Sequence, residues 1–166
     1  MKFKINQDYW ACVYVTEKFI TIKTKSGLGR VGADPLFPQH LLAPDATCQI
    51  IGQAVLDALK NSRTLHSLDE RVAFFDIEAS KQRYENWYRD LMELYGYKTK
   101  KSLFKNMKYC SIHCINGVIK ISPSWHEKLE AWSGDGIKET DHVVLSIHSP
   151  VEEIGKGLRL ALSRCR

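Results

Sequence analysis

Two periodicities divide the chain. Residues 9–15, YWACVYV, alternate strictly: Tyr9, Ala11, Val13 and Val15 lie on one side and Trp10, Cys12 and Tyr14 on the other, so both faces of this strand have apolar groups to bury. Thr16, Glu17 and Lys18 make a short turn into 19–25, where Ile20 and Ile22 oppose Thr21 and Lys23, and the two runs predict a β-hairpin. Residues 2–5 predict an added edge strand. A second hairpin, 109–115 with 118–122, is specified by Asn116-Gly117, the pair that suits a two-residue type I′ turn because both positions need positive φ. Residues 143–148 predict one more strand.

Elsewhere the spacing becomes helical. Ile50, Ile51, Ala54, Val55, Ala58 and Leu59 recur every three or four positions across 46–61, with Asp45 placed to cap. Over 80–95 the stripe is Tyr84, Trp87, Tyr88, Leu91, Met92 and Tyr95, opened by Ser80 and closed by Gly96. Thr99 caps a short helix over 99–107 through Leu103, Phe104 and Met107. Trp125, Leu129 and Trp132, with Pro123 in the first turn, predict another, ended by Gly134 and Gly136. Ser149-Pro150-Val151-Glu152 reads as a capping box for 150–165, whose core face is Val151, Ile154, Leu158, Ala161, Leu162 and Cys165. Residues 65–76 fit either strand or helix. The sum is one α+β domain over 1–166, a mainly antiparallel sheet built from hairpins and packed with helices.

A length of 166 residues with 44% hydrophobic and 26% charged residues suits such a core, and no repeat or linker divides it. No apolar run approaches the roughly 18 residues of a membrane span, and MKFKINQDYWACVYV lacks the apolar stretch of an export signal, so a cytoplasmic protein is expected. Five cysteines, an odd number, then read as reduced thiols.

Charge adds a pattern to the net +5. Asp69, Glu70, Asp76, Glu78, Glu85, Asp90 and Glu93 outnumber the bases of their stretch, and Glu127, Glu130, Asp135, Glu139 and Asp141 do the same further on. Between the two acidic blocks lie Lys98, Lys100, Lys101, Lys105 and Lys108 with no acid among them. Blocks of this kind select a partner of complementary charge.

Candidate chemistry is sparse. Gly27, Gly29 and Gly32 match G-x-G-x-x-G, but Pro38 breaks any helix that would follow and no acid stands at the expected distance, so the glycines read as turn residues. Cys110, His113 and Cys114 suggest a metal site, yet in a strand the two cysteines lie about 13 Å apart and the histidine points the other way. Neither His126 beside Glu127 nor Asp141 beside His142 forms an acid/base pair by spacing. No nucleophile elbow, phosphate loop or HExxH motif is present. Catalytic residues, metal ligands and cofactors are therefore not assigned.

The segments DYWACVYV, FITIKTKSGLGRVGADPLFP, LLAPDATCQIIGQAVLDALKNSR, FFDIE, LFKNMKYCSI, ISPSWHEKLEAWSG and EIGKGLRLALSRCR span most of the chain. Together they resemble the immunity proteins of bacterial contact-dependent growth inhibition (CDI) systems. One departure is Thr47, Cys48, Gln49 and Ile50, where a more acidic helix start is expected. The resemblance implies an inhibitor, not an enzyme. Its partner would be the cognate C-terminal toxin domain, which in many such systems is a nuclease, bound in the cytoplasm with no membrane involved. On this reading one of the acidic blocks, Asp69 to Glu93 or Glu127 to Asp141, meets the toxin and the lysine face stays outside. The alternative is a nucleic-acid-binding module using Lys98 to Lys108, whose mark is steep salt dependence.

Overall fold

The computed structural model describes residues 3–166. Strand β1 (Tyr9–Val15) pairs antiparallel with β2 (Ile20–Leu28) on one side and with β5 (Lys108–Ile115) on the other. The outer edge of β2 is shared by β3 (Arg30–Ala33) and β4 (His40–Leu42), which take its two halves. Beyond β5 come β6 (Val118–Ser122) and β9 (Val143–Ser146), giving the order β3-β2-β1-β5-β6-β9. Both predicted hairpins are present. At their second turn Asn116 and Gly117 have φ of 48° and 79°, the type I′ geometry the dipeptide favours.

The alternation of β1 distributes the core to both faces. On one, Tyr9, Ala11, Val13, Ile20, Ile22, Ile112 and Ile119 are buried beneath α1 (Cys48–Asn61) and α5 (Val151–Ser163). On the other, Tyr14 meets a second cluster of Phe19, Trp87, Leu91, Tyr97, Leu103, Phe104 and Met107. Apart from Phe19, which precedes β2, this cluster is carried by α3 (Ile77–Tyr95), α4 (Lys100–Phe104) and their flanks, with α2 (Leu68–Phe74) leading into α3. Residues 65–76, open to two readings in the sequence, thus form mainly helix.

Several local expectations are corrected. Trp125 to Trp132 is not a helix but a small antiparallel pair, β7 (Trp125–Lys128) with β8 (Ala131–Ser133). The presumed apolar stripe does not exist: Trp125 and Leu129 are exposed, while the Trp132 indole donates to the Met107 carbonyl at 3.0 Å and stacks on His126. Tertiary bonds outweigh weak helical spacing. Thr47, not Asp45, caps α1, its hydroxyl accepting from the Ile50 amide at 3.2 Å. Asp76, not Ser80, caps α3, which therefore starts three residues earlier than 80. Before α5 the capping box does not form; Pro150 is the cap and has no side-chain acceptor to offer. Of the predicted edge strand at 2–5, position 2 lies outside the described residues and 3–5 are not in a strand.

The glycine motif belongs to the β2–β3 hairpin. Gly29 turns the chain with φ of 75°. Gly27 is squeezed: a Cβ there would sit 2.0 Å from the Arg30 carbonyl oxygen, and its backbone also bonds to Arg63 and Leu65 of the segment leaving α1.

Candidate functional site

The β2–β3 hairpin, the loop after it and the α2–α3 corner enclose a cleft of about 540 Å³ on the second face of the sheet. Its floor starts from β-strand alternation. Tyr14 and Lys23 point to this face because their neighbours Val13 and Ile22 are committed to the opposite core. Trp87 comes from the buried side of α3 and closes the floor, its ring 4.8 Å from that of Tyr14.

One amide fixes this arrangement. The Gln39 side-chain oxygen accepts from the Trp87 indole N–H at 2.9 Å and from the Thr21 hydroxyl at 2.5 Å, tying the loop before β4 to both the helix and the sheet. A second clamp holds the far wall. Asp34, with its side chain wholly buried, takes a two-pronged contact from Arg63 at 2.7 and 3.0 Å and a hydroxyl bond from Ser26 at 2.6 Å. Burial alone would raise the Asp34 carboxyl, but these bonds outweigh it and hold the group below its ordinary value.

The cations inside the cleft are held differently. Lys23 Nζ lies 4.3 Å above the Trp87 ring and the Arg30 guanidinium 4.6 Å above that of Phe75. Arg83 donates to the Phe74 carbonyl and the Ser80 hydroxyl. None of the three forms an ion pair with a carboxylate among the described residues. Burial pulls Lys23 below the usual lysine range. The same cause pushes the Tyr14 phenol well above its own. The cleft is thus a preformed surface of aromatic faces and cations, suited to binding.

The sequence-predicted acidic residues are dispersed around it. Asp90 lines the cleft. Asp69 and Glu70 occupy the first turn of α2 and Glu78 that of α3, where they complement the helix dipole, as Asp76 does by capping. Glu85 is half-buried and Glu93 exposed on α3. In the second block Glu130 accepts from the Tyr84 hydroxyl at 2.6 Å and pairs with Lys100 at 3.0 Å, which joins the two blocks. Glu139 pairs with Lys120 and Asp141 accepts from the Lys138 amide, while Glu127 and Asp135 are exposed.

The lysine block is not one free face. Lys100 is engaged by Glu130 and Tyr88, and Lys108 donates to the Leu162 carbonyl; Lys98, Lys101 and Lys105 are exposed. Cys110 and Cys114 are buried in the α1/α5 core, whereas His113 stacks on Trp10 on the other face and bonds Asp8, so the three do not converge.

Sequence reasoning missed Lys23, Gln39 and Arg83 as site residues. The available signal was a lysine alternating with threonine on a strand whose partner buries both faces; it was read as a polar side.

The family model for the CDI immunity protein CdiI matches residues 9–165. Immunity protein CdiI-YPIII of Yersinia pseudotuberculosis serotype O:3 (strain YPIII) is 45% identical, the match covering 98% of each chain. Among solved structures, a protein of unknown function, NMB0488 from Neisseria meningitidis, superposes with a TM-score of 0.93 at 48% identity over the whole of both chains. A chain of the CdiA-CT/CdiI toxin and immunity complex from Yersinia pseudotuberculosis does so with a TM-score of 0.89 at 43% identity, covering 98% of this chain and 100% of that one. With the match running from β1 to two residues past α5, this chain belongs to the CDI immunity protein (CdiI) family.

Proposed function

We propose that this chain is the cytoplasmic antidote to a cognate CDI toxin domain with nuclease activity, and that the Trp87–Lys23 cleft receives part of that toxin. The observation that supports toxin binding is the likeness over nearly the full chain to one solved as part of a toxin and immunity complex. The cleft is the favoured contact because aromatic rings and arginines held in place are the groups that carry most interface energy.

Acidic residues supply the complementary part of the surface toward a basic nuclease. Asp90 ranks first, since it lines the cleft beside Arg83 and Trp87. Asp69, Glu70, Asp76, Glu78, Glu85 and Glu93 continue its block, and Glu127, Glu130, Asp135, Glu139 and Asp141 form the other. Co-expression with the cognate toxin domain tests the role: cells should survive with this chain and die without it. Arg83→Ala should weaken toxin affinity about tenfold, the scale of one interface anchor. Continued killing in the presence of the folded chain defeats the antidote reading; unchanged affinity in Arg83→Ala together with Lys23→Ala defeats the cleft.

A further inference from the structure

Away from the cleft, the segment after α5 folds back along β5. The Arg166 amide donates to the Ser124 carbonyl at 2.9 Å and the His126 amide to the Arg166 carbonyl at 2.7 Å. This places the Cys165 sulfur 3.6 Å from that of Cys110, at positions 55 residues apart. The two thiols differ in access. Cys110 is fully buried in the sheet, whereas Cys165 lines a cavity of about 330 Å³ together with Lys105, Lys108 and Arg166.

We propose that Cys165 and Cys110 form a hydroperoxide-sensitive dithiol, with Cys165 as the attacking thiol and Cys110 as the one that resolves it. Of the two cysteines only Cys165 lines the cavity, which is therefore the side from which a small oxidant would approach. The charge of Lys108, which lines the same cavity, favours the Cys165 thiolate. The bond from the Cys110 thiol acts in the same direction, and with an amide bond from Ser124 and the charge of Lys108 it outweighs burial and lowers Cys165 from the usual thiol range. Cys110 is pushed the other way, by that bond and by burial, so it stays a thiol until needed.

The step balances. The Cys165 thiolate attacks one peroxide oxygen, forming S–O and breaking O–O; the departing alkoxide or hydroxide takes the proton that Cys165 released. Cys110 then attacks the sulfenic sulfur, forming S–S and breaking S–O, and its proton leaves with the hydroxide as water. Two thiols lose two electrons, and the peroxide gains them. The bridge would tie the end of α5 to the middle of the sheet and restrict the unfolded chain, and cytosolic thiols would reverse it.

Hydrogen peroxide on the full reduced chain, followed by alkylation and non-reducing peptide mapping, tests this. The expected product is a Cys110–Cys165 linked peptide lighter by two hydrogen atoms. Cys165 should be consumed about threefold faster at pH 7 than the partly exposed Cys48, since a larger thiolate fraction is offset by lower nucleophilicity. In Cys110→Ser the sulfenic acid should accumulate on Cys165 and be trapped by dimedone. Cys165→Ser, at a half-buried position tolerant of the change, should leave Cys110 unlabelled. Absence of the linked peptide, or reaction at Cys48 as fast as at Cys165, overturns the proposal.

Discussion

Asp34 shows how much a single side chain can organise. Its carboxylate joins three places in the chain: Ser26 at the end of the paired β2 segment, Arg63 after α1, and the Leu36 amide of its own loop. Asp34→Ala strands the guanidinium and the hydroxyl together. The expected cost is about 2 kcal/mol in urea unfolding, below the range for a fully buried pair because the Arg63 side chain is 36% exposed and water partly replaces its partner. The sign of the pH dependence follows from the lowered carboxyl. A group whose folded-state value lies below the unfolded one contributes fully above the unfolded value, near 4, and loses that contribution as pH falls through the folded one. Wild type should therefore lose more stability than Asp34→Ala on acidification below about pH 4. Parallel slopes for the two would show that the carboxylate carries no such linkage.

At the scale of elements, α1 and α5 approach each other closely. A Cβ at Gly52 would stand 1.9 Å from the Val151 carbonyl oxygen, and one at Gly155 would stand 2.0 Å from that of Cys48, so the two helices meet backbone to backbone. Gly155→Ala must push them apart and open the core they cover. About 3 kcal/mol of destabilisation is expected, the upper end for overpacking, whereas Gly134→Ala, with nothing within 4 Å, should be near neutral. Thermal unfolding of the pair checks the contrast; equal midpoints would mean that the helix contact yields without cost. Neither Gly52 nor Gly155 stood out in the sequence, because a helical glycine has no local signature of what crosses it. The two hairpins, β9 and the long helices were legible for the opposite reason, whereas β3, β4, β7 and β8 were not. The β1 alternation, Asn116-Gly117 and the α1 and α5 stripes each state their period within one segment. Where a segment was short, as at Trp125 to Trp132, a bond from Trp132 to Met107 decided the outcome, and no window of local sequence contains it. The cleft was illegible for the same reason: Tyr14, Lys23, Gln39 and Trp87 are brought together from four separate segments.

For the whole molecule, the unequal placing of charge bears on the choice between a protein partner and a nucleic acid. A net charge of +5 would by itself permit polyanion binding, but the structure ties two of the five block lysines to other groups, Lys100 to Glu130 and Lys108 to the Leu162 carbonyl. The other three, Lys98, Lys101 and Lys105, offer few phosphate contacts and thus a shallow salt slope. The isolated chain should bind tRNA or DNA only weakly, and replacing those three lysines with glutamine should leave toxin protection intact. Reversing the acids of each block should act on the toxin instead. If the Asp69 to Glu93 block faces a basic toxin across the Asp90 rim, its reversal should slow association more than it speeds dissociation, because rim charges steer encounter. Added salt should then erase most of the difference between wild type and the reversed variant. The Glu127 to Asp141 block should respond less, as Glu130, Glu139 and Asp141 are already engaged within the fold. Stopped-flow association rates at low and high salt separate these cases. Rates that stay unchanged for both reversed blocks would remove acidic steering and leave the aromatic and cationic cleft as the source of recognition.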